Sequence, residues 1–173
     1  MRAYHDTEWG IPEHGDAKLF EMLTLEGAQA GLSWRSVLMR RDAYRDAYHG
    51  FSIERVAAMT DTELEGLLAE SGLIRNRLKI YSVRDNARTA LAAIATHGSL
   101  DGFLWSLVPD APVVNRWAAS GQVPATTPAS DRMSKTLRKL GFRFVGSTIC
   151  YAFMQATGMV NDHLTTCFCY GRG

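Results

Sequence analysis

The sequence predicts an all-α protein. Apolar residues recur at helical spacing along most of the 173-residue chain. Helix start and stop signals bracket those stretches, and no convincing alternating strand of five or more residues interrupts them.

Asp16 is a candidate N-cap for a helix carrying Leu19, Phe20, Leu23 and Ala30. Thr60-Asp61-Thr62-Glu63 spells a capping box; Leu64, Leu67 and Leu68 follow at helical spacing, and Gly72 breaks that helix. A long helix starts near Arg77 with Ile80, Val83, Ala87, Leu91 and Ile94 on one face, and His97-Gly98 ends it. Ser130 is the candidate cap of a helix with Met133, Leu137 and Leu140, which Gly141 stops. A last buried helix covers about residues 147–157. Residues 109–128 hold four of the five prolines and read as a long connection between two helical halves.

Hydrophobic residues make up 46% and charged residues 21%, which suits a globule with a real core. No run approaches the roughly 20 apolar residues of a membrane span, and the start has no apolar signal-peptide stretch. A cytoplasmic protein without a membrane partner is the expectation. The three cysteines are Cys150, Cys167 and Cys169, an odd count that argues against a disulfide framework. Net charge is only +1, but basic residues cluster in two stripes. One holds Arg75, Arg77, Lys79, Arg84 and Arg88; the other holds Arg132, Lys135, Arg138, Lys139 and Arg143.

Four constellations point to chemistry. Around residues 71–80 a helix, a glycine turn and a basic helix start follow one another, the grammar of a helix-hairpin-helix. Such a turn presents N–H groups and a positive dipole end to DNA phosphate without reading base sequence. The plainer alternative is a helix corner with a solvated basic face. Next, Glu26 follows an apolar helical run, with small residues and then Trp34 after it. A carboxylate with little polar company beside an indole suits a flat, nitrogen-rich, cationic ligand. Alternatively, Glu26 is a surface residue near a helix end and Trp34 is core. Tyr4 and Trp9, near the start, could stack on a base or be half-buried core. Finally, His163 and Cys167 are four residues apart, so on a helical turn both could face one ion; His5 joins them only if the fold brings the termini together. Sulfur with imidazole is a zinc ligand set, although His163 could instead cap a helix end and Cys167 be a small buried hydrophobe.

These pieces occur together and in order, and the sequence resembles the DNA-3-methyladenine glycosylase I family. The matching motifs are Tyr4-His5-Asp6, Glu8-Trp9-Gly10, Leu25-Glu26-Gly27, Gly31-Leu32-Ser33-Trp34 and Gly72-Leu73-Ile74-Arg75-Asn76-Arg77. Ser130-Asp131, Gly141-Phe142, Phe144-Val145-Gly146, Phe153-Met154-Gln155-Ala156 and Val160-Asn161-Asp162-His163 with Cys167 continue the match across essentially the whole chain.

The resemblance implies a helix-hairpin-helix DNA glycosylase fold with a small zinc-binding subdomain formed by both termini. Residues 16–107 would form the hairpin part, and residues 1–15 with 108–173 the terminal part. It implies monofunctional hydrolysis of the N-glycosidic bond of 3-methyladenine in double-stranded alkylated DNA by a monomer, releasing the free base. Glu26 would read the base and carry catalysis, Trp34 would stack on it, and Tyr4 and Trp9 would line the pocket. Gly31 and Leu32 would fill the gap left by the extruded nucleotide. Gly72, Leu73, Ile74, Arg75, Arg77 and Lys79 would meet the DNA backbone. Zn2+ would be held by His5, His163 and Cys167. The family pattern also has a cysteine and a pocket tyrosine before the histidine; Met1 stands four residues before His5, and Cys169 is the thiol that could substitute. Other readings are a non-catalytic helix-hairpin-helix module, a structural zinc protein, or a truncated inactive relative.

Overall fold

The computed structural model describes residues 1–69 and 72–172. Ser71, where the expected hairpin begins, lies outside the described residues. The chain is mostly helical. In order come α1 (Arg2–Thr7), α2 (Asp16–Gln29), α3 (Trp34–Leu38), α4 (Arg41–Ala47), α5 (Ile53–Ala57), α6 (Asp61–Ala69), α7 (Arg77–His97), α8 (Leu100–Ser106), α9 (Pro128–Leu140) and α10 (Ser147–Ala156). Two-residue strands β1 (Val113–Val114) and β2 (Val160–Asn161) pair in parallel, with Val113 opposite Val160.

α2 is the central helix. Every residue from Leu19 to Ala28 is buried, because α3, α7, α8 and α10 cover it from several sides. α7 buries Ile80, Val83, Ala87 and Ala90, and packs against α5 and α8. One continuous apolar core runs from Tyr4 to Val160. No helix among the described residues is long and apolar enough to cross a membrane.

The expected capping box at Thr60 forms: Thr60 Oγ1 accepts from Glu63 N at 3.2 Å, and Glu63 Oε2 accepts from Thr60 N at 2.7 Å. Two other expected caps move. Gly15 occupies the N-cap of α2, and the Asp16 carboxylate instead accepts from the N–H groups of Leu100 and Asp101, at 3.1 and 2.8 Å, at the start of α8. α9 begins earlier than Ser130. Pro128 stands in its first turn, Thr127 caps Ser130 N at 3.2 Å, and Ser130 Oγ returns a bond to Thr127 N at 2.9 Å.

The two ends of the chain are tied together. Gly10 N donates to Gln155 O at 2.9 Å and Glu13 N to Thr157 O at 3.1 Å. Gly158 sits at φ +69°, and a Cβ there would overlap the Ile11–Pro12 peptide. Glu8, just after α1, accepts from Arg41 at 3.0 and 2.7 Å and from Lys18 at 2.9 Å. Burial alone would raise the Glu8 pKa, but these bonds outweigh it and hold the carboxyl down at about 2. Arg41 also pairs with the buried Glu21, so α1 is strapped to α2 and α4 by one ionic network.

Candidate active site

α1, the C-terminal half of α2, the start of α3 and α10 converge on an open cavity of about 290 Å3. That is close to the lower end of ligand pockets, roughly 300 Å3, a size for one base rather than a nucleotide pair. Tyr4, Trp9 and Trp34 supply aromatic faces, and the Tyr4 and Trp34 rings meet at 5.5 Å, tilted by 51°. Gln29 and Gln155 contribute amides, and Met1, His5 and Ala152 complete the lining.

Glu26 is the only carboxyl among the lining residues. It is 3% exposed, and its Oε2 has no hydrogen-bond partner among the described residues. Burial pushes its pKa up to about 8. At neutral pH burial therefore favours the protonated acid over the anion. The Tyr4 hydroxyl is also buried and has no partner among the described residues. Its pKa is raised by burial and further by the nearby Glu26. Two polar atoms kept from water without partners cost stability; facing one cavity, they mark where a polar ligand completes the set.

Gln155 carries no sequence-based assignment, yet its orientation is determined. Its Nε2 donates to Asp162 Oδ2 at 2.7 Å. Asp162, buried, also accepts from Asn115 Nδ2 at 2.7 Å, Trp117 Nε1 at 2.8 Å and Tyr151 Oη at 2.5 Å. The Gln155 carbonyl is left as the free acceptor of that amide. Phe153-Met154-Gln155-Ala156 was the available signal, but nothing in it told the glutamine from its neighbours.

Beside the cavity, the turn after α2 lifts Leu32 into solvent, 43% exposed. Gly31 makes that turn at φ +80°. Behind it, Lys79 Nζ donates to Ala28 O at 2.8 Å and to Ala30 O at 2.7 Å. The hairpin candidates divide. Arg75 is exposed and pairs with no acid among the described residues. Arg77 is exposed but bonded to Glu65. Leu73 is buried in the core and Ile74 is half-buried. Gly72 approaches Ala43 closely. Asn76 Oδ1 caps Lys79 N at 3.0 Å, and no protein acceptor among the described residues takes the N–H groups of Arg77 and Leu78. Lys79 thus serves the turn with its ammonium instead of facing outward.

The termini do bring the metal candidates together, though not on a helical turn. His163 and Cys167 lie in irregular chain after β2, where Cys167 N bonds Leu164 O at 2.8 Å. His5 Nε2 lies 3.7 Å from Cys167 Sγ. His163 is buried, its Nδ1 is 2.9 Å from Asn161 Oδ1, and its Nε2 has no partner among the described residues. The donor atoms of His5, His163, Cys167 and Cys169 all lie within 4.8 Å of one another. An orphaned buried imidazole nitrogen beside thiols fits a thiophilic divalent ion. Trp9 packs edge-on against His163, ring centres 4.6 Å apart, which links this cluster to the cavity wall.

A family model described as methyladenine glycosylase matches residues 1–170. The chain is 49% identical over 168 residues to DNA-3-methyladenine glycosylase 1 of Escherichia coli (strain K12), covering 97% of this chain and 90% of that one. A crystal structure of 3-methyladenine DNA glycosylase I superposes with a TM-score of 0.95 at 51% identity, covering 98% of this chain and 93% of the other. A tyrosine-to-phenylalanine variant of 3-methyladenine DNA glycosylase I, solved in complex with 3-methyladenine, gives 0.94 at 30% identity, covering 98% and 91%.

Proposed function

The chain belongs to the methyladenine glycosylase family, and from that premise we propose that it excises 3-methyladenine from alkylated double-stranded DNA, acting as a cytoplasmic monomer without lyase activity. The observation that carries the reading is the buried Glu26 carboxyl, unpartnered at Oε2, in a cavity walled by Tyr4, Trp9 and Trp34.

Methylation at N3 makes the purine cationic and weakens its bond to the sugar. On cleavage the bonding pair stays with the base and cancels its charge. Water oxygen bonds to the sugar carbon and loses a proton to solvent. The base needs little help to leave, so the work is extrusion and recognition. A cationic base opposite Glu26 favours the carboxylate over the acid, which then accepts from the base's N–H groups. Trp34 stacks on the purine, and indole faces favour positive charge. Neutral adenine lacks that charge and gains less from the same pocket.

Leu32, on the Gly31 turn, fills the space the nucleotide leaves. Arg75, Arg77 and the backbone of Gly72, Leu73 and Ile74 meet phosphate, with Lys79 bracing the turn. Residues 16–107 act as the hairpin part, while residues 1–15 with 108–173 act as the terminal part. Zinc is held there by His5, His163 and Cys167 and keeps Tyr4 and Trp9 against the pocket; the support is the clustering of their donor atoms. The test is single-turnover incubation with methylated duplex DNA and identification of the released bases. Release of 3-methyladenine is expected; DNA binding without base release would favour a non-catalytic module.

A further inference from the structure

We propose that Gln155 is a specificity-determining residue: its amide carbonyl accepts from the exocyclic 6-amine of the extruded base and excludes purines that carry oxygen there. This deepens the glycosylase reading and rests on it. Charge alone does not make that distinction, because alkylation at N3 leaves guanine as cationic as adenine. The two bases differ at position 6, where adenine has an amine that donates and guanine a carbonyl that accepts.

Of the carboxyl, hydroxyl and amide groups lining the cavity, Gln155 alone has its hydrogen-bonding sense fixed by partners among the described residues. The Glu26 carboxyl donates as the acid and accepts as the anion, and the Tyr4 hydroxyl can do either. Gln29 makes no side-chain bond among the described residues, so its amide turns to suit the ligand. Gln155 is held. Tyr151 and Gln155 stand four residues apart on one face of α10, and both donate to Asp162 Oδ2. Asp162 Oδ1 is taken by Asn115 Nδ2 and by Trp117 Nε1, an indole N–H that only donates. The β1–β2 pair brings Asn115 alongside, with Asn115 N donating to Asn161 O at 3.1 Å. Asp162 is 2% exposed, so its partners are these protein donors. Turning the Gln155 amide over would set its carbonyl against a buried carboxylate oxygen and leave both unsatisfied. Asp162 is therefore a positioning residue: it consumes the amide nitrogen and leaves the carbonyl for the cavity. A 6-oxo base would meet acceptor with acceptor there, and a site whose polar role is fixed rejects the mismatched analogue strongly.

Two free bases test this on the parent protein without any substitution. 3-Methyladenine and 3-methylhypoxanthine share skeleton and methyl group but carry amine and oxygen, respectively, at position 6. By tryptophan fluorescence, 3-methyladenine should bind about 10-fold more tightly or better; equal affinities would overturn the proposal. On methylated duplex DNA, 3-methyladenine and 3-methylguanine released in one incubation give a ratio that does not depend on how much of a variant is folded. Gln155→Leu should lower that ratio by about 10-fold. Asp162→Asn should lower it too, because the new amide donates toward Gln155 and turns the Gln155 NH2 to the cavity. A merely structural role would slow release of both bases alike. An unchanged ratio in Gln155→Leu would overturn the assignment and leave the glycosylase reading standing, whereas a parent protein that releases no 3-methyladenine would sink both.

Discussion

Lys79 Nζ lies 2.7 Å from the carbonyl oxygen of Ala30, 49 residues earlier in the chain. A second bond reaches Ala28 O at 2.8 Å. The start of α7 therefore holds the Leu32 turn from behind, and the residues proposed to grip phosphate are mechanically joined to those proposed to enter the duplex.

Replacing Lys79 with Met removes both charge-assisted bonds and should slow single-turnover excision by about 10-fold, equivalent to about 1.4 kcal/mol. Affinity for free 3-methyladenine, followed by tryptophan fluorescence, should not change. Equal losses in both would mean that Lys79 supports the cavity itself.

Leu32→Gly tests the turn more directly. Leu32 is exposed, so stability should stay within about 0.5 kcal/mol. Excision from matched duplex should fall sharply, and excision from single-stranded DNA should fall little. A uniform drop on both substrates would count against insertion into the duplex.

Arg75→Ala should weaken binding to all duplex sequences alike and lower the slope of log affinity against log salt by about 1. An unchanged slope would remove Arg75 from the phosphate contacts.

Glu26→Gln should cut excision strongly and alter two pH profiles. The kcat/KM of the parent should rise with pH through about 8 as the free carboxyl ionises; the variant should lack that limb. For stability the sign is opposite. The folded pKa of about 8 exceeds the ordinary 4.5, so between these values the unfolded chain has lost a proton the folded chain keeps. Raising pH through that window destabilises the parent, and Gln should restore on the order of 4 kcal/mol at pH 8 and little at pH 4. Equal melting temperatures of the two proteins at pH 8 would refute the burial cost.

Much of the fold was legible because helical periodicity and caps are local. The Thr60 box and the ends of α7 at Arg77 and His97 stand where sequence places them. Asp16 misled because its carboxylate finds donors 84 and 85 residues away, at α8. Lys79 misled in the same way: a basic helix start does not reveal which ammonium meets a carbonyl and which meets solvent. The cavity residues Tyr4, Trp9, Glu26 and Trp34 were readable as types, and they do share one cavity. The proton on Glu26 was not readable, since it depends on burial that α3, α7, α8 and α10 impose on α2. The strap from Glu8 through Arg41 to Glu21 joins residues that no sequence spacing relates.

The crossing of the first residues over Gly158 has a consequence for synthesis on the ribosome. Trp9 leaves the exit tunnel about 150 residues before the surface that seats it, Gln155 to His163. A nascent chain therefore carries the pocket floor on α2 without its wall. The cavity closes only once Ala152 and Gln155 have been made, so a nascent chain that stops short of them has no complete cavity in which to hold a base.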